Sequence, residues 1–97
     1  MKQIRALIVE DSRLARNEMK ELLKKHPEVE VVGEAENVDQ AYEAIQELQP
    51  ELLFLDIHMP EKTGFDLLEM LEEVPATIFT TAYDEYAIRS FEYNTLD

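Results

Sequence analysis

Apolar positions along the chain fall into short runs separated by amphipathic stretches. Ile4-Arg5-Ala6-Leu7-Ile8-Val9 is brief, rich in aliphatic residues and halted by Glu10-Asp11, the pattern of a buried strand. From Ser12, an N-cap residue, Leu14, Ala15, Met19, Leu22 and Leu23 recur at helical spacing. Lys24, Lys25 and His26 suit the helix C-terminus, and Pro27 ends it. A second β-branched run, Val29 to Val32, closes at Gly33. Asn37 then caps a helix carrying Val38, Ala41, Tyr42, Ala44, Ile45 and Leu48 on one face, up to Gln49-Pro50.

The third strand, Glu51 to Leu55, is apolar almost throughout and is terminated by Asp56. Loop chemistry follows in His58-Met59-Pro60-Glu61-Lys62. Thr63 with Asp66 three residues on signals the start of a helix bearing Phe65, Leu67, Leu68 and Leu71, and Pro75 forces its exit. Ala76 to Thr80 reads as a fourth strand ending at Thr80-Thr81. Asp84 to Tyr93 reads as a fourth helix with Tyr86, Ala87 and Phe91 on its apolar side. Strands alternating with helices through short loops predict a parallel sheet covered on both faces, because parallel strands need crossovers and crossovers are right-handed.

Composition narrows the function. The 97 residues fit one domain, and 22 Asp plus Glu against 9 Lys plus Arg give a formal net charge of −13. Such a surface repels the phosphate backbone of nucleic acid and anionic membranes, so direct binding to either is not expected. The absence of cysteine removes disulfides and thiolate metal sites. No run approaches the ~20 apolar residues of a membrane span and no signal peptide opens the chain, so a cytoplasmic protein is expected.

Chemistry in an open α/β sheet collects beyond the carboxyl ends of the strands. Those ends carry Glu10-Asp11, Asp56 and Thr81. Carboxylates about 4 Å apart repel by roughly 4 kcal/mol per pair at an effective dielectric of 20, so the cluster calls for a cation or a shared proton. A hard, oxygen-preferring cation such as Mg²⁺ suits it best. Asp56, after the most apolar strand and before a loop with free backbone amides, is the candidate nucleophile for phosphoryl transfer, where positioning and charge neutralisation matter most. His58 is read as contributing its backbone carbonyl. A phosphatase or phosphotransferase with an aspartyl nucleophile commonly has a second Asp two residues on, and position 58 is His.

Together, ALIVEDS, LLFLDIHMPEKTGFDLL and IFTTAYDEYAIRSFEYNTLD resemble the receiver domain of two-component response regulators over the whole chain. The last segment is similar to the subfamily that often carries a LytTR DNA-binding domain. The resemblance implies a flavodoxin-like (CheY-like) doubly wound parallel sheet with strand order 2-1-3-4, and a regulatory domain rather than a free-standing enzyme. It implies phosphorylation of Asp56 by a histidine kinase or small phosphodonor, with Mg²⁺ or Mn²⁺ held by Asp11, Asp56 and the His58 carbonyl, and Glu10 acting through a water. Thr81 would hydrogen-bond the phosphoryl group, with the Ala82 backbone amide beside it, and would start the switch that acts on an output domain.

Receivers of this kind continue past the Leu-Asp ending into a fifth strand with a switch aromatic and a lysine followed by proline, then a fifth helix. Residues 1–97 therefore read as one receiver domain that stops short of those elements, without an output domain. Three expectations follow from that reading: weak phosphorylation, loss of coupling, and self-association through an open edge and through Leu14 and Leu22 on helix one. The alternative is a fragment inert as a switch and acting only as an associating module.

Overall fold

A computed structural model describes residues 3–80. The fourth helix expected over 84–93 lies outside the described residues. Within them the order is β1 (Ile4–Val9), α1 (Arg13–Leu23), β2 (Val29–Ala35), α2 (Val38–Leu48), β3 (Leu52–Leu55), α3 (Gly64–Met70) and β4 (Ala76–Phe79). All strand pairs are parallel and the sheet order is β2-β1-β3-β4, as expected.

The caps form where short polar side chains precede apolar helices. Ser12 Oγ accepts from Ala15 N at 3.2 Å and Asn37 Oδ1 accepts from Gln40 N at 2.8 Å. Thr63 and Asp66 make a reciprocal capping box, with Thr63 N donating to Asp66 Oδ2 at 2.8 Å and Asp66 N to Thr63 Oγ1 at 3.2 Å. Gln49 closes α2 in a left-handed conformation with φ 49°, its N–H returning to Ile45 O at 2.9 Å.

Successive strand residues face opposite sides of the sheet, so the continuous apolar runs of β1 and β3 feed two cores. Leu7, Val9, Leu53 and Leu55 pack with Val38, Ala41 and Ile45 of α2 and Leu67 and Leu68 of α3. On the other side Ala6, Ile8, Leu52 and Phe54 meet Met19 and Leu23 of α1 with Val29, Val31, Ala76 and Ile78. Each Leu, Ile or Phe fully removed from water stabilises the fold by about 1.5–3 kcal/mol.

Several boundaries depart from the expected ones. β2 runs through Gly33 to Ala35 because the ladder to β1 carries an extra residue: Ala6 pairs with Val31 and Leu7 with Gly33, leaving Val32 as a bulge. Gly33 serves close approach there, since a Cβ would sit 2.8 Å from Leu48 Cδ1 of α2. Glu51 stands outside β3, where its carboxylate accepts from Arg5 N at 3.0 Å. Leu71 caps α3 instead of continuing it. On α1, Leu14 and Leu22 are 69% and 59% exposed, while Met19 and Leu23 meet the core beneath them.

Candidate functional site

Two central strands, β1 and β3, deliver the described site residues to one edge. Glu10 N donates to Ala35 O and Asp56 N to Val9 O, both at 2.9 Å, so each acidic residue begins where its strand's pairing ends. Asp56 is 7% exposed, Glu10 is half-buried and Asp11 is exposed. Carboxylate oxygens of Glu10, Asp11 and Asp56 all lie within 4.8 Å of one another. The acidic group expected from sequence is therefore assembled.

Its electrostatics follow from that crowding. Burial pushes the Glu10 carboxyl up from 4.5 to about 8, helped by its hydrogen bond to Asp56 and by the charges of Asp56 and Asp11, while the Ser12 N–H opposes the rise. That N–H donates to Glu10 Oε1 at 3.1 Å. Ionising Glu10 beside its acidic neighbours is therefore costly, and a proton on Glu10 or a bound cation relieves the crowding. Three oxygen-only donors clustered at a strand edge fit a hard divalent ion such as Mg²⁺ or Mn²⁺, and no thiolate or imidazole among the described residues joins them.

The loop after Asp56 turns back on it. His58 N donates to Asp56 Oδ1 at 3.2 Å, while His58 itself is exposed. Pairing on the far side continues to Thr80, whose N–H donates to Leu55 O at 3.0 Å, so β4 reaches the same edge. The two residues expected to complete the site, Thr81 and Ala82, lie outside the described residues.

Two contributors escaped the sequence reading. Gly64 opens α3 directly against the loop after Asp56: its N–H donates to Ile57 O at 2.9 Å, and a Cβ there would lie 2.8 Å from Asp56 O. A glycine in the first helical position, where it is a poor helix former, was the available signal. Arg16 binds the backbone of the acidic pair, donating from Nη1 to Glu10 O at 2.8 Å. No local pattern marks it, because an arginine on an amphipathic helix ordinarily faces solvent.

A doubly wound α/β domain with an acidic trio at the carboxyl edge of its central strands is thus the class that fold and site define. Residues 6–97 match the response regulator receiver domain, and the chain belongs to that family. It is 49% identical over 94 residues to an uncharacterised response regulatory protein of Vibrio parahaemolyticus, covering 95% of this chain and 39% of that protein. It is 46% identical over 94 residues to the sensory transduction protein LytT of Enterococcus faecalis, covering 94% and 39%. The chain therefore spans about two fifths of the length of these relatives. Among solved structures, the response regulator domain of Thermotoga maritima CheB superposes with a TM-score of 0.86 at 28% identity, covering 99% of this chain and 76% of that one. The family is regulatory, and its members work with histidine kinases and output domains.

Proposed function

We propose that this receiver domain takes a phosphoryl group onto Asp56 in a reaction that depends on a divalent cation, and that the modification switches an output domain toward transcription control. The observation that carries this is the convergence of Asp56 with Glu10 and Asp11 within 4.8 Å at the edge where β1 and β3 end. Asp11, Asp56 and the His58 carbonyl would hold Mg²⁺ or Mn²⁺, with Glu10 beside them, and the bound cation supplies charge neutralisation for the transferring group. An Asp56 carboxylate oxygen forms the new bond to phosphorus, and the leaving group departs from the opposite side with its bonding electrons. The His58 N–H holds Asp56 Oδ1 and so restricts rotation of the carboxylate.

Thr81 and the Ala82 amide would receive the phosphoryl oxygens. The phosphodonor is a histidine kinase or a small acyl phosphate, and the domain acts as a regulatory acceptor in the cytoplasm. No helix among the described residues is long and apolar enough to cross a membrane.

Incubation with acetyl phosphate and Mg²⁺, followed by intact-mass spectrometry, tests the reading. One phosphoryl adduct is expected on the native chain, with none on Asp56→Asn and at least a tenfold slower rate, roughly, on Asp11→Asn. Equal labelling of Asp56→Asn would sink it.

A further inference from the structure

Arg16 is the polar hub beneath the acidic pair. Its side chain is 12% exposed although it sits on a helix with no buried residue. Nη1 donates to Glu10 O at 2.8 Å and, over a longer 3.4 Å, to Asp11 O. Nε donates to Glu34 Oε1 at 3.0 Å, and Glu36 Oε2 lies 4.0 Å from Nη2. The second Glu34 oxygen is held by Lys20 Nζ at 2.7 Å. One guanidinium therefore joins the turn after β1 to the carboxyl end of β2.

A guanidinium is always charged and presents its donors in a rigid planar fork. A carbonyl oxygen held by such a donor fixes ψ of its residue, and two successive held carbonyls fix the turn from which Glu10 and Asp11 project. None of these hydrogen bonds goes to the Glu10 or Asp11 carboxylates, which stay available to Asp56 and a cation.

We infer that Arg16 is a positioning residue for the acidic site, holding the backbone carbonyls of Glu10 and Asp11 so that both carboxylates meet Asp56. The inference rests on the reading of Glu10, Asp11 and Asp56 as a cation-dependent phosphoacceptor site. Lysine is no substitute, because a single ammonium on a flexible stem cannot span the carbonyls and the carboxylate together.

Mn²⁺ binding to the full chain, followed by the electron paramagnetic resonance of the free ion, separates these claims. The variants are Arg16→Met, Arg16→Lys, Glu34→Gln, Asp11→Asn and Asp56→Asn, each first checked for a native amide correlation spectrum. Residues that orient metal ligands typically carry 10- to 100-fold in affinity, so Arg16→Met should weaken Mn²⁺ by about tenfold or more. Arg16→Lys should stay weakened by more than about threefold, because charge returns without the fork. Glu34→Gln should change affinity by less than about threefold, since the carbonyl clamp survives it.

Affinity within about twofold of native for either Arg16 variant overturns the positioning role. So does a loss in Glu34→Gln equal to that in Arg16→Met, which would trace the effect to the tie between α1 and β2. Should Arg16→Met fail to fold, Arg16→Lys decides the question by the same criterion. Native binding undiminished by Asp11→Asn and Asp56→Asn is a different failure: it removes the cation site, and the role of Arg16 with it.

Discussion

The two faces of the sheet are held by different physics. On one, α2 and α3 bury Val38, Ala41, Ile45, Leu67 and Leu68 against the inward side chains of β1 and β3. On the other, α1 has no buried residue and meets the sheet through partly buried Met19 and Leu23. Charge holds it as well, through Arg16 and Lys20 on Glu34. The acidic pair stands where β1 leads into α1, and Asp56 where β3 leads toward α3. Stability thus resides mainly with α2 and α3, while the geometry of Glu10 and Asp11 depends on α1. Asp56 thus stands against the apolar layer, and Glu10 and Asp11 against the layer tied by polar contacts.

The largest effect should come from opening the α2–α3 face. Leu53→Ala, at a position with no exposure, should cost about 2–5 kcal/mol in denaturant unfolding, whereas Leu14→Ala on α1 should cost less than about 0.5 kcal/mol. Similar costs at the two sites would erase the contrast between faces.

Gly64→Ala tests the join between α3 and the Asp56 backbone. The added methyl meets Asp56 O at 2.8 Å and Leu55 Cγ at 3.1 Å, so the helix start must shift, at a cost of about 1–3 kcal/mol. Amide chemical-shift changes should concentrate at residues 55–58, and a silent substitution would show that this approach is not required.

The smallest effect concerns the charges on α1. The hydrogen bond from Lys20, then the charge of Lys20 and the contacts of Arg16, hold the Glu34 carboxyl below 4.5 against the opposing effect of burial. A carboxyl depressed in the folded state contributes stability that is present above its unfolded value and lost as pH falls through its folded value. Acidification below about pH 4.5 should therefore cost the native chain more than Glu34→Gln. The difference should stay under about 1 kcal/mol, because the Glu34 side chain is 34% exposed and the pair is screened by solvent. Superimposable acid-unfolding profiles would show that α1 needs no ion pair.

Much of the described fold was legible in order and type. Alternating runs and polar caps sufficed for β1 through β4 and for α1 through α3, because strand and helix periodicities are local properties. The site was legible as a set of strand-end residues expected to cluster at one edge of the sheet. That Glu10, Asp11 and Asp56 share one edge follows from strand order, and their crowding within 4.8 Å follows from the parallel register of β1 with β3.

The sequence by itself determined the alternation of elements, the caps at Ser12, Asn37 and Thr63, and which residue types end the central strands. The tertiary structure alone decided that β2 bulges at Val32 and passes through Gly33, that α3 begins against Asp56 through a glycine, and that Arg16 turns inward to hold the acidic turn. The reason is range. Periodicity and capping act within a few residues, whereas a bulge, a close approach and a guanidinium clamp depend on partners elsewhere in the chain: Leu7, Asp56 and Glu34.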